Sequence, residues 1–78
     1  MGKKQSRAAE VLTAFEEVVY VPGSDTFEAA MIIAIGPDNY VGMRATINIA
    51  EFERINGLKP RALRAALRMK VARQERPE

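Results

Sequence analysis

At 78 residues, with 12 Lys and Arg against 10 Asp and Glu and a formal net charge of +2, the chain has room for a single domain spanning 1–78 and no second one. It contains no cysteine and no histidine, which removes disulfides, thiol nucleophiles, zinc fingers, haem ligation and histidine acid–base work. Hydrophobic residues at 47% and charged residues at 28% describe a globular chain rather than a disordered one, and three Phe and two Tyr with no Trp give a light, aliphatic core.

The first element predicted is a helix capped by Ser6, because Ala8, Val11, Leu12, Phe15 and then Val18 or Val19 fall at helical spacing. Near Glu16 that pattern yields to Val18-Val19-Tyr20-Val21, a β-branched and aromatic cluster stopped by Pro22-Gly23, which reads as a short strand and its turn. Residues 27–35 fit two patterns. Phe27, Ala30, Met31, Ala34 and Ile35 suit a helix, while Phe27, Ala29, Met31, Ile33 and Ile35 suit one face of a strand. The strand is preferred, because the isoleucines gather here and Gly36-Pro37-Asp38-Asn39 makes a hairpin loop. That loop leads into the clearest strand of the chain, with Val41, Met43, Ala45 and Ile47 on one face and Tyr40, Gly42, Arg44, Thr46 and Asn48 on the other.

Asn48 with Glu51 three residues on opens a helix to about Ile55, which Asn56-Gly57 ends with the glycine in a left-handed position and Leu58 making the apolar contact that follows. Pro60 at a first helical position starts the last helix, expected to run to about Gln74. Its wheel puts Leu63, Leu67 and Val71 on one stripe, Arg61, Arg64 and Arg68 on the next, and Ala62, Ala65, Ala66, Met69 and Ala72 on a third. The fold class predicted is α+β: an N-terminal helix, a small antiparallel β-meander or hairpin, and a C-terminal helix hairpin. Residues 1–5 and 75–78 are expected to be flexible.

Charge is distributed unevenly along this path. Residues 1–7 hold Lys3, Lys4 and Arg7, a net +3; residues 8–58 hold eight acids against Arg44 and Arg54, a net −6; residues 59–78 hold seven bases against Glu75 and Glu78, a net +5. Basic ends on an acidic body point to an anionic partner or to the chain's own acidic middle. No apolar stretch approaches the ~20 residues of a membrane span. The basic start is followed by Glu10 rather than by an apolar core, so no export signal is read and a cytoplasmic location is expected.

The run Ile49-Ala50-Glu51-Phe52-Glu53-Arg54-Ile55, then Asn56-Gly57-Leu58, then Lys59-Pro60-Arg61-Ala62-Leu63-Arg64-Ala65-Ala66-Leu67-Arg68 resembles a helix-turn-helix DNA-binding unit. The resemblance covers about a quarter of the chain, with Gly57, Leu58, Leu63 and Leu67 at the structural places of that pattern. It implies that Lys59, Arg61, Arg64 and Arg68 face nucleic acid, on phosphates and at one position on a guanine edge. Two departures stand out: Glu53 lies where the family keeps a small residue, and Asn56 lengthens the turn.

Catalysis is not expected. Glu16 and Glu17 sit at a helix end, Glu51 and Glu53 point to different faces, and the glycines are scattered, so no acid–base pair, metal site, cofactor site or phosphate loop is read. Tyr20, Phe27 and Tyr40 are candidates for a stacking platform on a sheet face, although the spacing of known platforms is missing. The competing expectation is a protein-binding accessory or inhibitor module that covers a surface of a larger protein, using the sheet edge and the strip of Tyr40, Arg44 and Thr46. Under either reading a homodimer is expected, because so small a core gains by completing its burial against a copy.

Overall fold

A computed structural model describes residues 6–75 of the chain. The termini expected to be flexible lie outside those residues, apart from Glu75, which closes the last helix. The order is α1 (Arg7–Leu12), β1 (Glu17–Val19), β2 (Thr26–Gly36), β3 (Asn39–Asn48), α2 (Ile49–Ile55) and α3 (Ala62–Glu75). The strands form one antiparallel sheet in the order β1-β2-β3, a meander, so the architecture is the α+β arrangement expected.

Ser6 caps α1 as its sequence position suggests, its hydroxyl accepting from the Ala9 N–H at 3.1 Å. The helix is nevertheless shorter than the apolar spacing predicts. The Thr13 hydroxyl donates to the Glu10 carbonyl, and the Phe15 N–H reaches back only three residues to Leu12, so the chain tightens into turns after Leu12. Those turns carry Phe15 under the sheet, where it meets Phe27 and Phe52 with ring centroids 5.7 to 6.2 Å apart.

Residues 26–36 are strand, which resolves the ambiguous segment in favour of its period-two face. Phe27 stands opposite Ile47, Ala29 opposite Ala45, Met31 opposite Met43 and Ile33 opposite Val41, so one face of the β2–β3 hairpin is apolar along its length. The loop between them is the one the sequence marks, with Asp38 in the left-handed region at φ 68°.

Asn48 caps α2, accepting from the Glu51 N–H at 2.9 Å, and the helix stops in the manner its sequence announces. The Leu58 N–H reaches the Glu53 carbonyl, the Gly57 N–H reaches the Arg54 carbonyl, and Gly57 sits at φ 65°. The last helix starts at Ala62 rather than at Pro60. Arg61, at φ 73°, takes a left-handed turn that no α-helix accommodates, so the chain changes direction there before the helix can begin.

The core gathers Ala8, Leu12, Phe15, Val18, Phe27, Ala29, Ile49, Leu63 and Leu67 between the helices and the near half of the sheet. The far half, from Met31 through the loop to Ala45, contributes no buried residue. A radius of gyration of 13.5 Å reflects this projection, since a compact chain of this length would give roughly 11.5 Å.

Candidate nucleic-acid interface

The four cations implied by the helix-turn-helix resemblance occupy three different settings. Lys59 and Arg61 lie in the connection from Asn56 to Arg61, both exposed, and Arg68 is exposed on α3. Among the described residues no carboxylate stands within ion-pairing distance of these three. The connection is six residues long, against the three or four of a tight helix-turn-helix turn.

Arg64 is placed differently. Its guanidinium donates to the Tyr20 hydroxyl at 3.1 Å and to the Ser24 carbonyl at 2.7 Å, with Asp25 at 3.6 Å. The hydrogen bond to Tyr20 is the main cause that raises the Arg64 pKa above its ordinary value, with the charges of Asp25 and Glu53 acting in the same direction against a cost of desolvation. Arg64 thus spends its donors inside the molecule, pinning the start of α3 to the loop between β1 and β2. The sequence offered no signal for this: a helix wheel places Arg64 beside Arg68 and is blind to a carbonyl forty residues away.

Glu53, the residue that departs from the helix-turn-helix pattern, has an equally specific task. It is the one buried charged residue among those described, and its carboxylate accepts from the Leu63 N–H at 3.1 Å. Helix α3 has no acid in its own first turn, so a side chain from α2 supplies the acceptor and the negative charge that a helix start favours. The two helices are locked as a pair by that contact and by the Schellman stop at Gly57.

The remaining cations of α3 lie elsewhere. Lys70 and Arg73 flank a groove between α1 and α3 whose floor is apolar, formed by Ala9, Leu12, Ala66 and Met69. Arg7 donates to the Asn56 carbonyl and Arg54 is paired with Glu51, so neither extends the row. The aromatic platform does not assemble: Tyr20 and Phe27 are buried, whereas Tyr40 stands 67% exposed out on the hairpin. Among the described residues no group of three acidic side chains could hold a metal ion, and no helix is long and apolar enough to cross a membrane. Compared with protein-family models, with curated proteins and with solved structures, the chain matches none.

Proposed function

We propose that this chain is a small non-catalytic DNA-binding protein, acting in the cytoplasm as a regulator and as a homodimer. Lys59, Arg61 and Arg68 reach the nucleic acid, and Arg64 and Glu53 hold the helix that carries them. The observation that carries the reading is the absence of any carboxylate partner for those three exposed cations among the described residues, although the body of the chain is rich in acids. Cations left unpaired are available to phosphates without first breaking an internal ion pair. Arg61 adds to this: a non-glycine residue held at φ 73° carries backbone strain of about 1–2 kcal/mol, and such strain gathers where a side chain must be aimed.

The test is titration of generic duplex DNA at about 50 and about 200 mM salt, where a protein held by phosphates weakens steeply. Absence of binding at the lower salt refutes the reading. A protein-binding role is favoured by a separate observation, the exposed apolar residues of the far hairpin, and becomes the leading reading in that case.

A further inference from the structure

Beyond the last β1 contact, at Glu17 opposite Ala30, the β2–β3 hairpin continues as a two-stranded arm. Its apolar face is a prolongation of the protein's own core. Phe27 and Ala29 are 1% and 3% exposed beneath the helices, whereas farther along the same face Ile33, Val41 and Met43 are 36%, 41% and 52% exposed. Ile32 and Tyr40 stand out on the reverse face, and Ile35 beside the loop. From Met31 to Met43 the arm has one charged residue, Asp38 at the tip. At their fractional exposures these six large side chains, divided between the two faces of the arm, together present on the order of 700 Å² to solvent, more than singly scattered surface residues leave open.

The two edges of the sheet are treated unequally. At β1 the Gln74 amide closes the outer edge, accepting from the Val18 N–H at 2.9 Å and donating to the Val18 carbonyl at 2.8 Å. No such closure exists at β3. Its ten residues pair with β2 on one side, and on the other no described residue meets their backbone groups. The strand has no proline, and Arg44 is its one charge. A long edge with a single charge and no proline is what soluble proteins avoid unless it is used.

We propose that the occupant of this edge is a second copy of the chain, joined β3 to β3 in antiparallel register about a two-fold axis at Gly42, giving a six-stranded sheet. Parity requires an axis centred on a residue, and the side chains place it at Gly42. Directly opposed residues of antiparallel strands lie on the same face, so a two-fold normal to the sheet keeps both apolar faces on one side, and a slip of one residue would turn one of them over. With Gly42 on the axis, Val41 faces Met43 of the second copy and Met43 faces its Val41, which clusters four apolar side chains at the centre. Tyr40 faces Arg44 of the second copy, twice by symmetry, and gives each guanidinium an aromatic surface.

A two-fold copy also supplies what the arm lacks. Each chain's helical layer covers the body end of its own hairpin. Reversing the second copy puts its body end and helices beside the first copy's loop, so the two helical layers bracket the joined apolar strips from opposite ends. A foreign strand would satisfy the backbone but would bring no helical layer at that offset.

The test uses the full chain without nucleic acid, so its outcome is separate from that of DNA binding. Wild-type protein should sediment as a dimer at about 100 µM, and Met43→Asp should weaken association roughly 100-fold, since a carboxylate would be buried against apolar neighbours. Far-ultraviolet circular dichroism of that variant should match wild type, as Met43 is half exposed in one copy, and its melting should match wild type at dilutions where both are monomers. Gly42→Cys in this cysteine-free chain should cross-link to itself under mild oxidation, whereas Glu10→Cys on α1 should not. A wild-type monomer at that concentration, a Met43→Asp dimer of undiminished affinity, or cross-linking at Gly42→Cys no faster than at Glu10→Cys would each overturn the proposal. A monomer would leave the edge to a different protein.

Discussion

Replacing Glu53 with alanine tests whether the α2–α3 pair is held by a borrowed cap or by close helix packing. The carboxylate is 8% exposed and its contact with Leu63 N–H is the side-chain acceptor at the start of α3. Alanine leaves that buried N–H unsatisfied, which costs about 1–3 kcal/mol, and loss of a helix cap measured elsewhere falls in the same range of about 0.5–2 kcal/mol. We expect about 2 kcal/mol, a large share of the roughly 4–12 kcal/mol available to 78 residues. For a chain this size that lowers the melting temperature by about 8–16 °C. Glutamine keeps an acceptor oxygen in place, so Glu53→Gln should cost less than about 1 kcal/mol, the worth of one net hydrogen bond. Urea unfolding followed by circular dichroism, with unchanged slope, reads both variants. The helix-turn-helix pattern makes the opposite forecast, because a small residue at that place lets the helices cross closely. An alanine variant as stable as wild type, or more so, refutes the capping argument.

The other expectations separate binding from stability. Exchanging Lys59, Arg61 and Arg68 together for Gln should leave melting unchanged and reduce the salt slope of DNA binding by about 2.7, three phosphate contacts at ~0.9 each; an unaltered slope would remove these residues from the interface. Arg64→Gln should instead lower the melting temperature through loss of the Tyr20 and Ser24 contacts, and no workable pH will mimic it, because a pKa raised above the ordinary arginine value keeps the group charged throughout. Gly57→Ala should cost about 1 kcal/mol by backbone strain alone, because nothing lies within 4 Å of an added Cβ; a larger loss would point to a clash that the geometry does not contain. Gln74→Ala should reopen the β1 edge, costing about 1–3 kcal/mol for two hydrogen bonds and promoting aggregation measurable by light scattering.

The local devices of this fold are written where they act. Ser6, Asn48, Gly57 and the Gly36–Asn39 loop can each be read from a few neighbouring residues, because caps and turns are satisfied by partners within three or four positions. Element ends were less legible where the competing interaction is weak: Thr13 offers its hydroxyl to a carbonyl one turn back and α1 stops, although the apolar spacing continues to Phe15. The candidate site was legible only as a cluster of charges. Which cation is spent inside, Arg64, and which acid caps a distant helix, Glu53, are set by contacts 40 and 10 residues apart that no period reveals.

The uncovered arm, by contrast, follows from lengths already present in the sequence. The β2 strand has 11 residues, about 36 Å at its rise per residue. The longest helix has 14, about 21 Å even if laid along the strand, and α1 has six, about 9 Å. Neither helix can cover the whole apolar face of the hairpin, and α2, with seven residues, starts at the body end of β3. Alternation of Phe27, Ala29, Met31 and Ile33 states that one face is apolar and is silent about what lies over it, so the pattern alone suggests a complete core. Strand length set against helix length exposes the shortfall. A chain that keeps six isoleucine, valine, methionine and tyrosine side chains beyond the reach of its own helices, and seals one sheet edge with Gln74 while leaving the other bare, places its missing cover outside itself. Because that shortfall lies at one end of the hairpin and the helical layer at the other, a reversed copy is the simplest object that fits both.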